Sequence, residues 1–159
     1  MKLYHGSNVE VNNPKILSNL RALDFGAGFY LTSSKDQASK WAKIVARRRR
    51  KGRPTLNIYK FDEANLIALT VLRHETANEE WLEFVVNNRK ELIAVNPYDL
   101  VIGPVANDST LPVIDDYMAG VYTKEEAVKR LLPQNLTDQY AFLTRTALEL
   151  LSFEGSEML

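Results

Sequence analysis

His5 and Gly6 stand together at the end of a short opening segment, and a histidine beside a glycine is a pairing that can do chemistry. The residues before them alternate, so Leu3 and His5 share one face of a strand and Tyr4 takes the other. The imidazole can hydrogen-bond a ligand hydroxyl, and Gly6 lets a ligand approach the backbone closely. Tyr30 follows Gly26, Ala27, Gly28 and Phe29, and a tyrosine can stack on a planar ring while its hydroxyl stays hydrogen-bonded. Gln139 is in phase with Ala141 and Leu143 along a β-like run. A carboxamide on an apolar strand face must find partners or a ligand. A histidine satisfied within the fold, a core tyrosine and a glutamine on a wet edge strand are the plainer readings of the same residues.

The run Arg47, Arg48, Arg49, Arg50, Lys51, Gly52, Arg53 is the strongest compositional signal. It suits phosphates, a nucleic acid or an acidic protein partner, and equally a solvated helix end. No aromatic residue interrupts it, which argues against base stacking there. Charge is divided along the chain. Residues 1–60 hold 13 Lys and Arg against 3 Asp and Glu, net +10, and residues 61–159 hold 7 against 17, net −10. One surface is thereby expected to meet a polyanion or acidic partner.

The elements that position these residues follow from periodicity and caps. Residues 2–5 read as a strand, as do 55–61, 66–72, 98–105 and 138–144. Ser34 and Gln37 form a capping box for a helix over 35–50 whose apolar face is Ala38, Trp41, Ala42, Val45 and Ala46. Asn78 caps a second helix with Trp81, Phe84 and Val85 inward. A third helix follows the Asp108–Ser109 start, and Thr123 with Glu126 opens a fourth that Pro133 closes. A short helix covers 145–151. The order predicts an α+β fold in one domain, residues 1–152, with a frayed tail over 153–159.

Composition removes several classes. At 159 residues with 45% apolar and 25% charged residues, the chain is an ordinary single-domain globular protein. It has no cysteine, so thiolate catalysis and disulfides are excluded, and with two histidines no metal is expected. No membrane segment is legible, and a cytoplasmic location is the expectation. Gly26-Ala27-Gly28 lacks the spacing of a dinucleotide fingerprint, and no phosphate-binding P-loop pattern occurs.

Taken in order, LYHGS, DFGAGFYLT with QASKWA, EWLEFV, YDLVIGPVAND and LTDQYAFLTRTALELL form a pattern. It resembles a bacterial domain-of-unknown-function family grouped with the ADP-ribosyltransferase-like superfamily, in the branch of diphtheria toxin and the poly(ADP-ribose) polymerases. The resemblance spans almost the whole chain. It implies a split, mostly antiparallel sheet with flanking helices and a cleft for NAD as co-substrate. By it, His5 matches the histidine that hydrogen-bonds the adenosine-side ribose, and Gly6 the glycine whose backbone pairs with the nicotinamide carboxamide. Tyr30 matches the tyrosine against the nicotinamide ring. Gln139 falls where related transferases often carry glutamate, so the carboxylate that steadies the ribose is missing.

The activity the resemblance implies is mono-ADP-ribosyl transfer to an unknown protein or nucleic-acid acceptor, a glycosyltransferase reaction, in a toxin-like effector restrained by an antitoxin partner. Glu83 is the next acid expected to assist. Arg47, Arg48, Arg49, Arg50 and Arg53 would meet a target, a partner or the pyrophosphate. An NAD glycohydrolase or phosphorylase, or an inactive module that binds ADP-ribose or nucleic acid, are the alternatives.

Overall fold

The structure is a computed structural model that describes residues 1–16, 23–93, 96–107 and 109–159. The strands in chain order are β1 (Lys2–Ser7), β2 (Phe29–Leu31), β3 (Thr55–Phe61), β4 (Val71–Arg73), β5 (Leu100–Pro104), β6 (Asp138–Phe142) and β7 (Leu151–Met158). The helices are α1 (Lys35–Arg49), α2 (Glu79–Arg89), α3 (Leu111–Met118), α4 (Lys124–Leu131) and α5 (Arg145–Leu148). The fold is α+β. One sheet has the order β1-β3-β7 and is antiparallel throughout. The other has the order β2-β6-β5-β4, antiparallel except for the parallel β4/β5 pair. The sheets meet where Tyr4 and Thr32 exchange two backbone hydrogen bonds of 2.8 and 3.0 Å.

Period-2 alternation builds two cores around the second sheet. Phe29, Leu31, Ile102, Tyr140 and Phe142 face inward between the sheets, against Leu3, Tyr59 and Phe61. Val101 and Ala141 point the other way, into Trp81, Leu82, Val85, Ile114 and Leu131 from α2, α3 and α4. Helix starts are fixed by side-chain caps. Ser34 accepts from the Gln37 amide, Asn78 from Trp81 and Thr123 from Glu126, at 3.2, 2.9 and 3.2 Å. Helix α3 starts after Thr110, which makes no side-chain cap bond, with proline in its first turn. The expected cap at Asp108 lies outside the described residues. Among the described residues, no helix is long and apolar enough to cross a membrane.

Four sequence expectations are corrected. Residues 153–159 do not fray: Leu151–Met158 is β7, paired with β3 along its whole length, with Phe153 against Tyr59 at 5.5 Å between ring centroids. The domain therefore continues past residue 152. The short helix ends at Leu148, one turn capped by Thr144, because the chain is needed as a strand directly afterwards. Residues 66–72 are not one strand. Asp62 accepts from the Ala64 amide and starts a 3₁₀ turn over Glu63–Ala68, leaving β4 only Val71–Arg73. Finally, Trp41 is 46% exposed instead of facing the core. Helix α1 lies so close to β1 that a Cβ on Gly6 would come within 2.1 Å of the Ala38 carbonyl oxygen. Only Ala38 and Ala42 of α1 are buried there, and Trp41 turns outward, where the Arg48 guanidinium lies 5.4 Å over its ring.

Candidate functional site

The two sheets part next to the Tyr4–Thr32 junction, and this fork holds the first group of candidate residues. Tyr4 turns its N–H and C=O toward Thr32, and alternation carries those of Gly6 to the same edge. Antiparallel continuation would place Gly6 opposite Tyr30. Among the described residues no backbone hydrogen bond joins them, so the sheet opens at that pair. The His5 imidazole bridges the fork instead, its Nδ1 lying 2.8 Å from the Tyr30 carbonyl oxygen. A carbonyl can only accept, so the proton sits on Nδ1 and Nε2 carries the lone pair.

Burial lowers the His5 pKa to about 4, opposed by its bond to Tyr30 and reinforced by the nearby Arg49 charge, so the ring is neutral at pH 7. It packs on Phe29 with centroids 4.3 Å apart. His5 therefore sits on the inner face with Phe29, while the Gly6 and Tyr30 positions share the outer face that the helices cover.

Tyr30 and Gln139 share that outer face. Tyr30 is in register with Ala141, and Gln139 lies two residues further along β6, on the same side. The Tyr30 hydroxyl donates to the Gly26 carbonyl at 2.5 Å and accepts from the Phe25 amide at 3.0 Å. Burial holds that phenol well above its ordinary pKa, so it stays protonated.

Gln139 is paired in register with Gly103 of β5. On the far side of Gly103 stands His74, whose amide donates to the Ile102 carbonyl at 2.8 Å. A Cβ on Gly103 would come within 3.2 Å of the His74 Cβ and 3.3 Å of the Phe25 Cζ, tighter than ordinary contact, so a larger residue would push on both side chains. Among the described residues, His74 Nε2, Thr137 Oγ1 and Gln139 Nε2 are buried without a hydrogen-bond partner. Such atoms are uncommon in folded proteins and call for an explanation. Burial lowers the His74 pKa, partly offset by Glu80, so this group is uncharged at neutral pH as well.

His74 and Thr137 were not among the sequence candidates. Thr137 is in phase with Gln139 and Ala141, a signal that alternation carries. For His74, the signal is only its place directly after a strand.

The remaining predicted residues lie apart. Arg49 donates to the Asn8 side chain at 2.8 Å, which ties it to the end of β1 and brings its charge near His5. Arg47, Arg48, Arg50 and Arg53 are exposed, and Arg50 is the left-handed cap of α1 with φ 51°. Glu83 projects from the exposed side of α2 and is ion-paired with Lys124 of α4. It lines an open groove of about 550 Å³ with Tyr117, Met118 and Tyr122, a lining that includes neither the fork residues nor Gln139.

Comparison with curated proteins and with solved structures gave no match. One family model, described as Protein of unknown function (DUF3990), matches residues 1–153. The chain belongs to that family.

Proposed function

We propose that the fork and the adjoining Tyr30–Gln139 face form an NAD site, and that the protein is a mono-ADP-ribosyltransferase. The observation that carries this reading is the open backbone edge at Gly6. Its N–H and C=O point away from β3 and meet no strand among the described residues, which suits pairing with a carboxamide. The neutral His5 next to it matches a role toward ribose hydroxyls, and Tyr30 offers an aromatic ring on the same sheet face as the Gln139 amide. The resemblance to the ADP-ribosyltransferase-like superfamily supplies the identity of the ligand.

In the reaction, the bond between nicotinamide nitrogen and the ribose anomeric carbon breaks, and its electron pair leaves with nicotinamide. Positive charge develops on the sugar as in glycoside cleavage. An acceptor nucleophile then bonds to the anomeric carbon and releases its proton to solvent. Gln139 would orient a ribose hydroxyl as a neutral group, without the stabilisation a carboxylate gives to the cationic transition state. Arg49, held beside His5 through Asn8, is the cation placed to meet the pyrophosphate. The exposed Arg47, Arg48, Arg50 and Arg53 remain for a macromolecular acceptor or a restraining partner.

The test is nicotinamide release from NAD, with and without cell lysate, by the wild type and by Tyr30→Ala. Lysate-dependent release that falls by orders of magnitude in Tyr30→Ala is the expected result for a transferase. Tyr30-dependent release without lysate identifies an NAD hydrolase instead. No release from a folded wild type in either condition overturns the enzymatic reading. A rise in release on Gln139→Glu would show that the site lacks only its carboxylate.

A further inference from the structure

Residues 23–28 lie across the face that holds Tyr30, Gln139 and His74, and their one aromatic side chain is fully buried. Phe25 is 0% exposed. Its ring stacks on Tyr30 with centroids 6.4 Å apart and planes 29° apart, and meets Phe84 at 5.9 Å on another side. Its Cζ stands over Gly103, between the positions of His74 and Gln139. A planar apolar ring thus stands over the strand position flanked by His74 and Gln139, whose Nε2 atoms are buried without a hydrogen-bond partner among the described residues. Phe25 can offer them nothing, because a phenyl ring has no donor or acceptor.

Beyond the packing of Phe25 in the core with Trp81 and Val85, the segment is held by separable polar contacts. Asp24 is ion-paired with Arg89 of α2 at 2.7 Å, both about one-fifth exposed. The Phe25 amide and Gly26 carbonyl bond the Tyr30 hydroxyl. Gly26 has φ +100°, a conformation that suits a sharply turned loop. The His74 imidazole, the Gln139 carboxamide and the Tyr30 phenol are uncharged in the folded protein; among the described residues the charges nearby are Asp24, Arg89 and Asp115, which pair with one another, and Glu80, which acts on His74.

We propose that Phe25 is an internal plug, occupying the seat of a planar, neutral, heteroaromatic carboxamide that displaces it on binding. The identity of that ring as nicotinamide rests on the NAD reading above. The incoming ring keeps the stacking partner and adds the donors and acceptors that the phenyl lacks. The Asp24–Arg89 latch sets how often the seat is free. The apparent affinity is then the intrinsic one reduced by the fraction of molecules with the plug out.

The experiment is nicotinamide binding, by titration calorimetry, to the wild type, Phe25→Ala and Asp24→Asn, with circular dichroism to confirm folding. Asp24→Asn serves if Phe25→Ala does not fold, since it weakens the latch and leaves the core ring in place. Ring-nitrogen NMR reports the location, because His5 and His74 are the only histidines. The expected result is at least about tenfold tighter binding to the variants, with the His74 Nε2 signal moving on titration. Equal affinity in all folded proteins overturns the plug, and so does binding that leaves His74 unmoved. Absence of nicotinamide binding to any folded variant also overturns it, and if NAD is still cleaved the transferase reading survives alone. Plug release without NAD cleavage leaves the seat established and overturns the transferase reading.

Discussion

Buried polar side chains behave in opposite ways at the two ends of this molecule. Beside the first sheet they are saturated. Asn57, fully buried in the middle strand, accepts from the Val11 amide at 2.8 Å and donates to the Val9 and His5 carbonyls at 3.2 and 3.4 Å. Asn8 accepts from Arg49 and donates to the Lys51 carbonyl, both near 2.9 Å. At the end of the second sheet, His74, Thr137 and Gln139 bury polar atoms that find no partner among the described residues. Polar groups that stitch loops to a sheet have their partners built in. Under the reading proposed above, the unpaired groups are completed by a ligand, and the fold carries their desolvation cost until it binds.

That contrast predicts opposite mutational signs. Asn57→Ala strips three bonds and orphans the groups that made them, so denaturant unfolding should show a loss of about 3 kcal/mol or more. A loss below about 1 kcal/mol would mean that the first sheet does not depend on its buried amide.

Acid should attack the same region next. The folded pKa of His5 is about 4 against 6.5 for the free side chain, so between these values the unfolded chain binds the proton and the folded one does not. Stability therefore falls as pH drops from 6.5 toward 4, by on the order of 2 kcal/mol for this half-buried ring, and is unaffected by His5 above that window. His74, shifted in the same direction, adds to the fall. Melting temperatures of wild type and His5→Gln across this range should converge at low pH; parallel curves would remove His5 from the acid response.

The smallest effect carries the opposite sign. Thr137→Val removes an unpaired hydroxyl at nearly constant volume, so the protein should gain up to about 1 kcal/mol. A loss of that size would show that the hydroxyl has a partner in solution.

Much of this was legible in the residues themselves. Helices α1, α2 and α4 begin at Ser34, Asn78 and Thr123, where the capping side chains predict them. Alternation along residues 138–142 placed Gln139 with Ala141 and opposite Tyr140. Strand β7 was hidden because its pattern, with Gly155 and terminal polar residues, is also that of a fraying tail; only pairing with β3 distinguishes the two. Trp41 was misplaced because periodicity reports a face but not how close the sheet lies. Here Gly6 brings backbone against backbone and leaves room for alanine alone. The grouping of His74 with Gln139 depends on Gly103 lying between them in the sheet, a neighbourhood that no local sequence spacing encodes.

The central claim is that Gln139 serves a ligand and not the fold. Nicotinamide release from NAD, measured in wild type and Gln139→Leu alongside their melting temperatures, tests it most directly. The account predicts that the variant loses release by at least about tenfold while melting at the same or a higher temperature, since an orphaned amide has been replaced by an apolar side chain. A variant that melts lower while cleaving NAD as fast as the wild type would place Gln139 with Asn57, among the residues that only hold the fold.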